Sequence, residues 1–305
     1  MTRDSSAQLA WVESPLQLLA VAEYAAVHDR RVAVAFRLSG PQMTSTAQEL
    51  LARGARFTTC APYFGVPWSL LARTRDWIIG DGFSGQFRAA MSTLGSRSVT
   101  LVDDGSMTVH LARALAGTTG YTRPGAAESR AKTVLGGLTR DRLMRLAARE
   151  RLSFFTSYAS APAVAALGLR GVGIEQNAFA WTRANARPIE LPHRRVVLGS
   201  AAVTDGVISR DRYLAWVVGL ARRSPLSYLP HRRESAEQLD WISLLPGVEL
   251  VRTGLPVELV LAGSPEPLEL VTLNSTAAVT LERVLAGTGS RIRSTLTPSA
   301  TERAR

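Results

Sequence analysis

The stretch Ser98–His110, SVTLVDDGSMTVH, decides how the rest of the chain is read. Its apolar run, Val99-Thr100-Leu101-Val102, reads as a buried strand and ends on two adjacent carboxylates, Asp103 and Asp104. Gly105 follows and permits a tight turn, and a helical pattern starts at Met107. In a parallel α/β sheet, ligands bind beyond the carboxyl ends of the strands. Two acids at such a tip repel one another and are partly dehydrated, which raises at least one pKa and suits a general base. Taken alone, the same residues equally fit a helix cap by Asp104 or Ser106.

Outward from this stretch the same grammar recurs. LAWVES (Leu9–Ser14), RVAVAF (Arg31–Phe36), RFTTC (Arg56–Cys60) and DWIIGD (Asp76–Asp81) read as strands, with helices between them. Ser14-Pro15 has the form of a cap followed by proline at the first helical position. Apolar strands alternating with helices predict a parallel sheet covered on both faces. TRDRLMRLAARER places Arg142, Arg145 and Arg149 on one helical face and Leu143 and Leu146 on another. That pattern fits a solvated packing helix or a basic lip over an anionic acceptor or membrane surface.

NAFAWTRANARPIELPH (Asn177–His193) is irregular and reads as an interdomain linker. A second block of strands (Arg194–Ser200, Leu226–His231, Val248–Val251, Leu268–Leu273) alternates with helices at Ser209–Arg223, Glu234–Leu245, Pro256–Ala262 and Ser275–Leu285. The expected organisation is a first Rossmann-like domain over residues 1–185, a second over 194–290, and a mobile tail over 291–305. Two such domains imply a cleft. The strand-end rule selects Ser14-Pro15, Asp103-Asp104-Gly105, Pro230-His231-Arg232 and Asn274-Ser275-Thr276. His231 with Arg232 and Arg233 ahead of a helix has the makings of a phosphate site, as do the hydroxyls of Ser275 and Thr276 at a helix start.

Composition narrows the classes. The chain has 305 residues, 46% hydrophobic, with formal net charge +11, and every basic residue but Lys132 is arginine. The pI is about 10.9. A basic surface suits an anionic substrate, an anionic membrane or nucleic acid. No helix-turn-helix or RNA-binding signature is present and aromatics are 7%, so no nucleic acid is expected as a partner. Cys60 is the single cysteine and excludes an internal disulfide framework. No apolar window reaches membrane-spanning length and the start lacks a secretory signal, so a cytoplasmic protein is expected.

The ordered set SPLQLL, DDGS, YLPHRRE and NSTA resembles the bacterial sialyltransferases of the lipooligosaccharide and polysialic-acid type, from about Ser14 to about Ala278. Their signatures are a D/E-D/E-G motif, an H-P motif and a serine/threonine pair. The resemblance implies a GT-B fold and an inverting, metal-independent transfer of a sialic-acid-like nonulosonic acid from a CMP-activated donor to a glycan or glycolipid. It requires no cofactor beyond the CMP-sugar donor, and peripheral contact with an anionic inner membrane is compatible with it. Carried over by position, Asp103 is the base on the acceptor hydroxyl, Asp104 the second acid and Gly105 the glycine. His231 meets the donor phosphate, and Ser275 and Thr276 bind it. Ser14, Pro15 and Gln17 match the first-strand motif. Gly199 and Ser200 border the nucleotide, and Glu258 is a candidate for ribose hydroxyls. The chain departs from the pattern at the H-P motif, with His231-Arg232 preceded by Pro230; Arg232 there offers a further donor to phosphate. The alternatives are a UDP- or GDP-linked donor on the same fold, or a basic nucleic-acid-binding protein, which predicts steeply salt-dependent binding.

Overall fold

The apolar runs form short parallel strands whose polar ends gather at one edge of each sheet. The computed structural model describes residues 8–74, 76–96, 98–273 and 277–295. Internal contacts divide the chain into two units, Met1–Trp181 and Thr182–Arg305.

In the first unit the elements run β1 (Gln8–Val12), α1 (Pro15–Val27), β2 (Val32–Phe36), α2 (Pro41–Ala52), β3 (Phe57–Pro62), α3 (Trp68–Arg73), β4 (Asp76–Ile79), α4 (Gly85–Thr93), β5 (Ser98–Val102), α5 (Met107–Ala116), α6 (Arg130–Ala147), β6 (Leu152–Thr156), α7 (Pro162–Gly168), β7 (Gly173–Gln176) and α8 (Ala180–Ala184). The unit boundary falls inside α8. The sheet order is β3-β2-β1-β4-β5-β6-β7, with every pairing parallel. The chain starts in the middle, steps outward to β3, then returns beside β1. That reversal puts the topological switch point between β1 and β4. Helix α1 is buried along almost its whole length, from Leu18 to Ala25, as its predominantly apolar composition requires. On the sheet, Trp11, Trp77, Ile79, Leu101 and Phe154 pack with Phe87, Leu115 and Leu143 of the helices. Each such fully buried side chain contributes roughly 1.5–3 kcal/mol.

The second unit continues with β8 (Arg195–Leu198), α9 (Arg210–Ala221), β9 (Leu226–Leu229), α10 (Ala236–Ser243), β10 (Val248–Leu250), α11 (Val257–Leu261), β11 (Glu269–Leu273), α12 (Ala277–Val284) and β12 (Arg291–Thr295). Its order, β10-β9-β8-β11-β12, repeats the same winding, all parallel, with the switch between β8 and β11. Val197, Tyr213, Val217, Tyr228, Ile242 and Val271 form its core. The expected α/β class, with two Rossmann-like doubly wound sheets, is therefore the architecture of the chain.

Three departures from expectation have physical causes. Residues 152–176, unassigned by pattern, supply β6, α7 and β7; strands of five and four residues, the second half-exposed at a sheet edge, carry little periodicity. The irregular segment Asn177–His193 includes α8, and Asn177 is fully buried. Residues 291–295, expected in a mobile tail, form β12, paired with β11 from Glu269↔Arg291 to Leu273↔Thr295. Alternating arginines disguised that strand; on an edge strand they deter further strand pairing. Helix α6 buries Leu143 and Leu146, as the pattern requires. Arg142, however, donates to the Met91 carbonyl at the end of α4, so it closes a helix end instead of serving a basic lip.

Removing residues 291–305 strips β12 from β11. A protein ending at Ser290 is expected to melt ~5 °C below one ending at Thr295 by differential scanning calorimetry. Equal melting temperatures would return residues 291–295 to a free tail.

Candidate active site

The two acids after β5 point into different worlds. Asp103 keeps the parity of Val99 and Leu101, which face the core, and is 0% exposed. Its carboxylate accepts from Thr156 Oγ1, from the Ser157 N–H (2.9 Å to Oδ2) and from Asn177 Nδ2 (3.1 Å). It thereby ties the tip of β5 to the tips of β6 and β7. Burial pushes its pKa up to about 6, against the opposing pull of Thr156, Ser157 and Asn177. With its lone pairs engaged and no open surface, Asp103 has no route to an acceptor hydroxyl. Asp103, the residue expected as the base, is thus buried and bonded to Thr156, Ser157 and Asn177.

Asp104 is half-buried and faces the other way. Gly105 turns the chain at φ +61°, a conformation that favours glycine, and the Asp104 N–H donates to Thr108 Oγ1 of α5 at 3.1 Å. Gln17 Nε2 donates to Asp104 Oδ1 at 2.6 Å. The sequence of the first helix explains that bond. Ser14 caps α1, Pro15 opens it, and Gln17 sits at the third helical position in a capping box. Gln17 Oε1 accepts the Glu13 and Ser14 N–H groups at 2.7 and 3.2 Å. Those two donors fix the amide orientation and aim its NH2 at Asp104. Gly80, at the tip of β4, makes room: a Cβ there would lie 2.2 Å from Gln17 Oε1.

Burial is the chief reason that the Asp104 pKa rises to about 7; Asp81 and Glu13 add repulsion, while Gln17 and Arg123 oppose it. Asp81, just past β4, accepts the Phe83 N–H at 2.9 Å and pairs with Arg123. Glu13, past β1, pairs with Arg37 at 3.1 Å. The tips of β1, β4 and β5 thus carry four acids, Glu13, Asp81, Asp103 and Asp104, with Gln17, Arg37 and Arg123 bonded to three of them. Asp81, Glu13 and Arg123 were not singled out from sequence. The strand DWIIGD ends on Asp81 in the same manner as β5 ends on Asp103, and that signal was available.

In the second unit the tips of β8 and β9 meet. His231 is half-buried; its Nδ1 accepts the Arg233 N–H at 3.2 Å, which leaves the proton of the neutral ring on Nε2. Burial, reinforced by Arg233 and Arg232, lowers the His231 pKa to about 4, with Asp205 opposing. At neutral pH it is therefore an uncharged hydrogen-bond donor. Arg233 is engaged with Asp205 through two bonds, 2.8 and 2.6 Å, whereas Arg232 is exposed and makes no ion pair among the described residues. Gly199 and Ser200 end β8 beside His231: a Cβ on Gly199 would lie 2.5 Å from the His231 nitrogen. Between them sits Glu234, a buried carboxylate that sequence reading placed only at the start of a helix. Glu258 is on α11, buried, and accepts from Thr280 Oγ1 of α12 at 2.7 Å; the ribose role expected of it meets a carboxylate already bonded to its neighbour. Asn274, Ser275 and Thr276 lie outside the described residues. Among the described residues, no group of three His, Cys, Asp or Glu is placed to hold a metal ion, and no helix is long and apolar enough to cross a membrane.

Replacing Asp103 by alanine leaves three buried donors without an acceptor. Urea denaturation is expected to show a loss of roughly 2–4 kcal/mol. Asp104→Asn, at a half-buried site, is expected to stay within roughly 1 kcal/mol of the parent. The reverse order would exchange the two assignments.

No protein-family profile matches the chain, and no curated protein matches it. Among solved structures it is similar to a UDP-glucose:anthocyanidin 3-O-glucosyltransferase in complex with UDP, with a TM-score of 0.48 and 10% identity over 95% of this chain and 80% of that one. It is also similar to the E. coli heptosyltransferase WaaC with ADP-2-deoxy-2-fluoro heptose, with a TM-score of 0.42 and 13% identity over 93% of this chain and 87% of that one.

Proposed function

We propose that the chain is a glycosyltransferase of the GT-B type that moves a nonulosonic acid from a CMP-linked donor to a hydroxyl of a glycan or glycolipid. The observation that carries this reading is the Asp104 carboxyl at the β5 tip, oriented by Gln17 and held at a pKa of about 7. The ordered motifs SPLQ, DDGS and PHRRE support it, since each falls on a strand tip or on the helix start that follows it.

Each unit supplies residues suited to one part of this chemistry. Asp104 takes the proton of the acceptor hydroxyl as its oxygen bonds to the anomeric carbon. The bond from that carbon to the phosphate oxygen breaks, and its electron pair leaves with CMP. A base with pKa near the working pH is the efficient choice. On the donor side, His231 Nε2–H and the Arg232 guanidinium supply hydrogen bonds to the phosphate as it gathers charge. The neutral His231 acts by hydrogen bonding and not as a cationic acid. The basic surface suits an anionic donor and the anionic headgroups of a membrane that would present a glycolipid acceptor.

Two experiments test the reading. A thermal-shift panel of CMP, UDP, GDP and ADP is expected to show the largest stabilisation with CMP; a larger shift with UDP or GDP would move the donor to that class. For transfer with a competent donor and acceptor, kcat/KM is expected to rise with pH through about 7, because only ionised Asp104 accepts the proton. Asp81→Asn removes the main like charge and frees Arg123, so the rising limb is expected at lower pH. Gln17→Leu removes a bond that favours the ionised form, so the limb is expected at higher pH. Asp104→Ala is expected to lower kcat ~10²- to 10⁴-fold. Unchanged turnover in that variant would remove Asp104 from the reaction.

A further inference from the structure

We propose that Glu234 is the positioning residue of the His231 corner: its carboxylate closes the turn from His231 to Glu234 and so fixes which imidazole nitrogen presents a proton to a ligand. Only the identity of that ligand rests on the function proposed above.

The turn is closed from both directions. The Glu234 N–H donates to the His231 carbonyl at 3.0 Å, and Glu234 Oε2 accepts the His231 N–H at 2.6 Å. Gly199 at the tip of β8 packs against this turn at the tip of β9. The other oxygen, Oε1, accepts from Tyr228 OH at 2.6 Å and from Gln238 Nε2 at 2.7 Å. Tyr228 OH is bonded in turn to Tyr213 OH at 2.6 Å. Tyr213 and Tyr228 are fully buried and Glu234 is nearly so. A carboxylate with three donors from β9, α10 and the turn itself has one position. Gly199 is required by that position, since a Cβ there would lie 2.0 Å from Glu234 Oε2.

The consequence reaches the ring through the backbone. With the turn fixed, the Arg233 N–H stands 3.2 Å from His231 Nδ1. That bond selects the Nε2–H tautomer. A buried glutamate with no such duty would be an expensive choice, because its burial drives its own pKa up to about 7. The ionisable groups facing it are Tyr228 of β9 and Tyr213 of α9. Those around His231 are Arg232, Arg233 and Asp205.

The test is long-range proton–nitrogen NMR of the histidine rings in the full chain, with His231→Asn to assign the signal, beside calorimetric titration with CMP. In the parent protein His231 is expected as a single Nε2–H tautomer that titrates well below 6.5. In folded Glu234→Ala the tautomers are expected to mix, the titration to move toward 6.5, and CMP affinity to fall roughly tenfold. Glu234→Gln, which keeps an acceptor for the His231 N–H, is expected to retain one tautomer. If Glu234→Ala does not fold, Tyr228→Phe removes one donor to the carboxylate and is expected to shift the ring in the same direction by less. An unchanged ring in folded Glu234→Ala or Tyr228→Phe would overturn the proposal. A ring that responds as expected in a protein that binds no CMP would uphold Glu234 and refute the nucleotide reading.

Discussion

The hydrogen bond from Gln17 to Asp104 is the constraint on which the proposed chemistry depends. It joins the first turn of α1 to the tip of β5, on two neighbours of the switch between β1 and β4. Gln17 is itself 2% exposed, and both ends of its amide are occupied. An amide whose oxygen must accept two backbone N–H groups has one orientation, so the carboxylate oxygen it holds has one position. Geometry of this kind comes from the helix cap, the proline that opens the helix and the missing Cβ at Gly80. No single one of these residues is chemical, yet each sets where the base stands.

The second unit uses the same device with the roles exchanged. There the reactive candidate is an imidazole, and the buried partner beneath it is the carboxylate of Glu234. Both corners place a polar side chain at a strand tip and brace it with a buried hydrogen-bonding group. In both, glycine supplies the room: Gly80 under Gln17, Gly199 under Glu234. Low-dielectric surroundings then set the protonation states. Burial raises Asp104 toward neutrality and lowers His231, so a base able to accept a proton and an uncharged donor coexist at the same pH.

The fold was legible in the sequence because its central strands are continuous apolar runs, as buried parallel strands are. The parallel, doubly wound class was legible from the alternation of those runs with helices, but the strand order was not. The failures were local. GIEQ of β7 and RIRST of β12 lie at sheet edges, where one side is solvated and the apolar signal vanishes. At the β5 tip, sequence could place an acid but not choose between Asp103 and Asp104. Strand parity assigns Asp103 to the core, and the groups that hold it there, Thr156, Ser157 and Asn177, lie more than fifty residues away in the chain. Glu234 was hidden by its neighbours: in HRRES a glutamate reads as one more surface charge, and the tyrosines that bury it come from β9 and α9.

The central claim is that Asp104, and not Asp103, is the proton acceptor made ready near neutral pH. Carbon-13 NMR of aspartate-labelled protein, titrated from pH 3 to 9, measures it directly. Two carboxyl signals are predicted to titrate at about 6 and about 7. The higher one should vanish in Asp104→Asn and move upward in Gln17→Leu. A carboxyl of Asp104 that titrates near 4, insensitive to Gln17, would contradict the account.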